Sequence, residues 1–279
     1  MAPPLISADR LAKRLEGEAP PLILDVQFVL GDPNGSRTLY ERAHLPGAVF
    51  CDLDTVLAGP VGPTGGRHPL PEPERLQRDL RALGLNDASS VVTYDEGAGM
   101  GAARAWWVLR WIGHDDVQIL DGGLPAWVAR GGAIESGSPL PLRAGDIRVE
   151  PGHMPLLRPD DAAALARAGV LLDARAAPRY RGEVEPIDPV AGHIPGARNL
   201  PVSELVDASG RYLAADELRR RFAAVGVEAT TPVGAYCGSG VSAAQEIVAL
   251  TLAGYQGALY AGSWSDWISD RRRPIATGE

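Results

Sequence analysis

A cysteine between an apolar run and a glycine-rich turn carries the most chemistry in this sequence. Pro232-Val-Gly-Ala-Tyr236 reads as a buried strand and Cys237 ends it. Gly238-Ser239-Gly240-Val241-Ser242 follows, and then Ala243–Leu250, which reads as a helix. Sulfur held there meets converging backbone N–H groups and the positive end of a helix dipole, which favours thiolate and makes it nucleophilic. Glycines at 238 and 240 let the loop curl around it, since they tolerate positive φ and leave no side chain in the way. A buried structural cysteine beside a tight turn is the alternative. The glycine bracket and the helix start favour the nucleophile.

The elements that would position such a sulfur occur twice. Leu22-Ile-Leu-Asp25 returns as Val170-Leu-Leu-Asp173, and Ala43-His44-Leu-Pro46-Gly47-Ala48 as Gly192-His193-Ile-Pro195-Gly196-Ala197. Val91-Val-Thr-Tyr-Asp95 returns as Val233-Gly-Ala-Tyr-Cys237, and Asp121–Trp127 as Ala261–Trp267. A repeat of this length is a domain. Short apolar runs fit strands at 22–26, 48–51, 90–94 and 118–120, then at 170–173, 197–200, 233–236 and 258–260. Amphipathic stretches fit helices at 74–83, 101–112 and 125–130, then at 159–167, 215–225, 241–252 and 263–269. The alternation predicts an α/β fold, with each half a mostly parallel sheet flanked by helices. In such sheets ligands bind at the carboxyl ends of strands, where Cys237 falls. Residues 136–141 and 151–155 read as linker, giving domains over 1–138 and 155–279.

The 279 residues carry 27 basic against 35 acidic side chains, a net charge of −8. That balance disfavours broad binding to nucleic acid or an anionic membrane, while leaving room for a local anion site. Two cysteines, Cys51 and Cys237, are too few for a disulfide framework and fit a reducing compartment. No run approaches a membrane span and the start lacks a secretory pattern, so the chain reads as a complete cytoplasmic protein. No cluster has metal-ligand spacing and no glycine-rich loop carries a P-loop lysine, so no metal or cofactor is expected.

Taken together, the paired His-(Leu/Ile)-Pro-Gly-Ala blocks, Asp173-Ala-Arg175, Arg179-Tyr-Arg-Gly182 and Cys237-Gly-Ser-Gly-Val-Ser242 resemble the two-domain rhodanese-like sulfurtransferases along nearly the whole chain. The loop is most similar to the 3-mercaptopyruvate type, since thiosulfate-type members typically carry basic residues straight after the cysteine. The resemblance implies tandem rhodanese-like domains, the first inactive because Asp95 stands at the nucleophile position. It implies transfer of sulfane sulfur through a Cys237 persulfide, with Gly238, Gly240, Val241 and Ser242 lining the anion loop. By the same resemblance Ser239 and Asp52 belong to a proton relay, and His68 reaches the site from the inactive domain. A backbone-bonded loop serine, a solvated acid and a solvated histidine are the respective alternatives. Arg179 matches the substrate arginine, a fixed bidentate partner for a carboxylate or thiosulfonate. Nine residues on, the 3-mercaptopyruvate type usually has a second arginine. Here Asp188 stands there, a pattern resembling the thiosulfate type, so loop and clamp point to different donors. Cys51 is expected to face the core, and His44 and His193 to organise turns.

The reading is therefore a sulfurtransferase that takes sulfur from 3-mercaptopyruvate, with thiosulfate as the alternative donor. A thiol such as thioredoxin, a low-molecular-weight thiol, or cyanide would accept it. A non-enzymatic sulfur carrier uses the same persulfide. A cysteine phosphatase needs Cys-x5-Arg, and position 243 is alanine.

Overall fold

Four-residue runs without polar alternation form the central strands of both halves, as expected for strands covered on both faces. The computed structural model describes residues 3–32, 34–138 and 142–279. It divides into two compact units. The first runs to Gly59 and takes in Pro71–Met154 and Ala208–Arg211. The second comprises Pro60–Leu70, Pro155–Asp207 and Tyr212–Glu279. The stretch Pro60–Leu70 thus packs with the second unit, although chain order assigns it to the first repeat. Of the linker expected at 136–141, residues 139–141 lie outside the described residues.

The first unit contains β1 (Leu5–Ile6), α1 (Ala8–Leu15), β2 (Leu22–Asp25), α2 (Gly35–Arg42), β3 (Val49–Phe50), α3 (Leu53–Val56) and α4 (Pro73–Ala82). It continues with β4 (Val91–Tyr94), α5 (Met100–Trp111), β5 (Val117–Leu120) and α6 (Gly123–Ala129). Its sheet is parallel, in the order β1-β5-β4-β2-β3. The second unit contains α7 (Pro159–Ala168), β6 (Val170–Asp173), α8 (Ala177–Tyr180), β7 (Arg198–Asn199) and a 3-10 turn at Val202–Glu204. Then come α9 (Ala215–Ala224), β8 (Val233–Tyr236), α10 (Ser242–Ala253), β9 (Gly257–Leu259) and α11 (Ser263–Trp267). Its parallel sheet runs β7-β6-β8-β9. The short elements β1, α1, α2, α3 and α8 are absent from the apolar-run reading. In α1 the apolar residues do fall at helical spacing, with Ala8, Leu11 and Ala12 buried, and Ser7 accepts the Arg10 N–H at its start. Among the described residues no helix is long and apolar enough to cross a membrane.

The repeat extends to single hydrogen bonds. His44 Nδ1 lies 2.8 Å from Tyr40 O, and His193 Nδ1 lies 2.8 Å from Tyr180 O. A carbonyl only accepts, so both rings carry their proton on Nδ1. Each ring stacks on that same tyrosine. The tyrosine hydroxyls donate to Ala48 O and Ala197 O, closing the two equivalent turns. Tyr94 and Tyr236, ending the two central strands, accept the Leu45 and Ile194 N–H groups. Histidines used identically in both units are turn organisers.

The units differ at the ends of β2 and β6. Asp173 is fully buried and paired with Arg175, whose Nη2 lies 2.6 Å from its Oδ2. The corresponding pair in the first unit is Asp25 and Gln27, so the cation is missing. Asp25 is fully buried and neither oxygen finds a partner of good geometry. Burial pushes its carboxyl up to about 7, with Tyr94 and Gln27 close enough to offset a little of the cost. A carboxyl raised this way favours the native state below its unfolded value and loses that contribution as pH climbs through the folded one. Asp25→Asn removes the titration. Its stability relative to wild type is expected to improve by roughly 2 kcal/mol between pH 5 and pH 8. Urea denaturation at the two pH values measures this, and a pH-independent difference would mean that Asp25 is ionised in the fold.

Candidate active site

The β8 run Val233–Tyr236 is buried throughout, and Gly234 keeps it close to its neighbours: a methyl there would lie 2.7 Å from both Leu157 and Leu165. Cys237 emerges at the carboxyl end of this strand and is 1% exposed. The Gly240 N–H donates to its Sγ at 3.1 Å. Gly240 has φ +79°, and a Cβ would sit 2.2 Å from Ala261 O, so the loop cannot carry a side chain there. Val241, also buried, leads into α10 at Ser242.

Ser263 fixes the other side of the loop. Its Oγ accepts the Cys237 N–H at 3.0 Å, donates to Tyr260 O at 2.9 Å, and lies 4.0 Å from Sγ. Its φ is +57°, and among the described residues it is the one non-glycine in the left-handed region. Such a backbone costs about 1–2 kcal/mol for a residue with a Cβ. The equivalent residue of the first unit is Gly123, also at φ +57°. The following backbone closes the loop, with Trp264 N–H on Cys237 O and Ser265 N–H on Gly238 O. Nothing in the local sequence around Ser263 signals this role, apart from its alignment with a glycine in the first repeat.

The segment Pro60–Leu70 brings His68 and Arg67 to this loop. It is tied down by Gly65 N–H to Asp266 Oδ1 and Arg67 N–H to Ser265 Oγ, 3.1 Å. His68 Nδ1 lies 2.7 Å from Ser239 Oγ, both residues being buried. Asp52 belongs to the first unit, where its carboxylate caps α3 by accepting the Thr55 N–H at 3.0 Å. Cys51 is fully buried, as expected, although it follows β3, whose two residues are both buried, rather than alternating within it, and burial pushes its thiol well up, helped by the Asp52 and Asp25 charges.

Arg179 leaves α8 toward the same loop. Glu185 grips it, with Oε1 3.1 Å from Nε and 2.7 Å from Nη2. Burial opposes charge on Glu185, but the Arg179 hydrogen bonds and the Ile187 and Asp188 N–H groups hold its carboxyl below the usual range. Asp188 accepts from Arg179 Nη2 at 3.1 Å and from Arg67 Nη1. Burial lifts the Asp188 carboxyl above its ordinary value against the pull of Arg67 and Arg179, and Glu185 adds to the lift. Both guanidiniums reach the loop: a methyl on Gly238 would lie 2.8 Å from Arg67 Nη2 and 3.7 Å from Arg179 Nη2. Arg67 goes unnoticed in the sequence because its partner is 121 residues away.

The first unit shows the same turn with a different occupant. The Asp95 carboxyl accepts four backbone N–H groups, from Gly97, Gly99, Gly101 and Ala102, at 2.9 to 3.2 Å. Its own side chain fills the cradle that a substrate anion would need. Burial pushes this carboxyl up while the four donors pull it back.

The model of the rhodanese-like domain matches residues 7–130 and 158–270. A Pseudomonas aeruginosa protein named "Probable 3-mercaptopyruvate sulfurtransferase" is 50% identical over 285 residues, covering 99% of this chain and 98% of its own. The Mycobacterium tuberculosis "Putative thiosulfate sulfurtransferase SseB" is 43% identical, covering 98% of this chain and 97% of its own. Among solved structures, the 3-mercaptopyruvate sulfurtransferase SseA of Escherichia coli superimposes with a TM-score of 0.82 at 33% identity. That match covers 95% of this chain and all of SseA.

Proposed function

From the premise that the chain belongs to the rhodanese family, as a two-domain sulfurtransferase, we propose that it takes sulfur from 3-mercaptopyruvate through a persulfide on Cys237. The observation that carries this reading is a sulfur at a strand end that accepts a loop N–H with two guanidiniums beside it. In the first step Cys237 Sγ attacks the donor's thiol sulfur. A sulfur–sulfur bond forms, the donor's carbon–sulfur bond breaks, and its electron pair passes to the methylene carbon as an enolate. That carbon takes up the thiol proton, giving pyruvate. The Ser239–His68 pair, joined at 2.7 Å, is suited to carry that proton. The Gly240 N–H stabilises anionic sulfur in both steps. In the second step an acceptor thiolate, from a small thiol or a thioredoxin-like dithiol, attacks the outer sulfur and releases Cys237; cyanide would react likewise. The first domain, with Asp95 filling its own loop, takes no sulfur.

Arg179, oriented by Glu185, binds the donor's carboxylate. Losing one charge-assisted hydrogen bond costs about 1.5–3 kcal/mol. Arg179→Ala is therefore expected to lower kcat/KM for 3-mercaptopyruvate by roughly tenfold to a few hundredfold. Thiosulfate is the second reading, favoured by Asp188 at the position of a clamp arginine. Steady-state kinetics with both donors on one preparation separate them. A higher kcat/KM for thiosulfate would overturn the 3-mercaptopyruvate assignment and leave the persulfide chemistry standing.

A further inference from the structure

We infer that Arg67 is the second guanidinium of the donor site, and that Asp188 is the residue that holds it there. The inference rests on the carboxylate donor proposed above and deepens it. At position 188 an acid stands where an arginine would complete a two-armed clamp. That acid faces two cations instead of supplying one. Its Oδ1 takes Arg67 Nη1 and its Oδ2 takes Arg179 Nη2, so one carboxylate bridges both guanidiniums. The positive charge missing from position 188 is thereby restored from the opposite side, by a loop of the second unit pinned through Gly65 and Arg67 N–H.

Further observations set this pair beside Gly238, the residue that follows Cys237. Arg67 Nη2 is the atom nearest to a methyl built on Gly238, the residue after Cys237. The Arg67 Nε is buried with no acceptor, so a hydrogen-bond donor stays unmet beside the loop. A bare glycine at 238 leaves the two guanidiniums room to converge beside the cysteine. The local charge is two guanidiniums, Arg67 and Arg179, against two carboxylates, Glu185 and Asp188. A balanced cluster suits a single carboxylate that shares the guanidiniums with Asp188, and it suits a dianion less well. Arg67 is thus a specificity-determining residue for an α-keto carboxylate donor.

The test compares two alkylating agents of nearly equal size on a Cys51→Ser background. Iodoacetate carries a carboxylate and iodoacetamide does not. Alkylation of Cys237 by iodoacetate is expected to slow by roughly tenfold or more in Arg67→Gln, with the iodoacetamide rate unchanged. The exchange Arg67→Asp with Asp188→Arg restores a guanidinium facing a carboxylate and should recover much of the iodoacetate rate. In steady state Arg67→Gln should raise KM for 3-mercaptopyruvate more than it lowers kcat. Equal slowing of both reagents would make Arg67 a purely structural residue, and no change in either would remove it from the site. Wild type that fails to turn over 3-mercaptopyruvate would sink the donor assignment alone, because the alkylation comparison does not depend on sulfur transfer.

Discussion

Cys237→Ser is expected to abolish turnover with either donor, a loss of at least about a thousandfold, typical of removing a covalent nucleophile. The serine oxygen would keep the loop contacts of the sulfur but stay protonated and far less nucleophilic. Intact-mass analysis after incubation with donor should show one added sulfur on wild type and none on the variant, with peptide mapping placing it at Cys237. Cys51→Ser should leave most activity, since that thiol is fully buried and burial keeps it protonated. Sulfur found on Cys51 would reassign the nucleophile.

Arg175→Met should be strongly destabilising to the second unit. Arg175 donates to both oxygens of Asp173 and to Gly192 O, and its guanidinium lies over Trp264 at 4.8 Å. Removing it strands a fully buried carboxylate, which typically costs about 3–5 kcal/mol. That is a large share of a domain's whole stability of about 5–15 kcal/mol. Replacing both partners, as in Asp173→Asn with Arg175→Met, removes both charges of the pair and should recover much of the loss. Urea denaturation of the single and double variants measures it. A single-variant loss below about 1 kcal/mol would show that solvent or another side chain already serves Asp173. The variant should also lose activity, because Arg175 helps hold Glu185, and Glu185 orients Arg179.

The central strands, the long helices and the repeat were legible because continuous apolar burial writes itself into four-residue runs and helical spacing. Cys237 was legible as the candidate nucleophile for the same reason: its place at a strand end is flanked by the residues that fix its backbone. The two-residue strands β1 and β7 hold too few residues to show a period, and residues 197–200 overran the pairing at Arg198–Asn199. What could not be read was pairing across distance. Arg67 looks like a surface arginine until Asp188 meets it, and Asp188 reads as a missing cation until Arg67 supplies one. The sequence placed His68 in the first repeat, whereas its segment packs with the second unit and sets it against Ser239. Asp52 followed the family pattern in type and position, and its carboxylate caps α3.

The corner occupied by Gly123 in one unit and Ser263 in the other bears on how such a duplicated chain can drift. Both residues have the same left-handed backbone, which glycine adopts freely and serine only under strain. Glycine at 263 would relieve that strain but would leave the buried Cys237 N–H and the Tyr260 carbonyl without the Ser263 hydroxyl, so the two effects oppose each other. Serine at 263 adds a hydroxyl under the Cys237 N–H that glycine cannot supply. The strained backbone at Ser263 thus holds a hydroxyl against the loop that carries Cys237, a hydroxyl that the first unit, with glycine in the same conformation, does without.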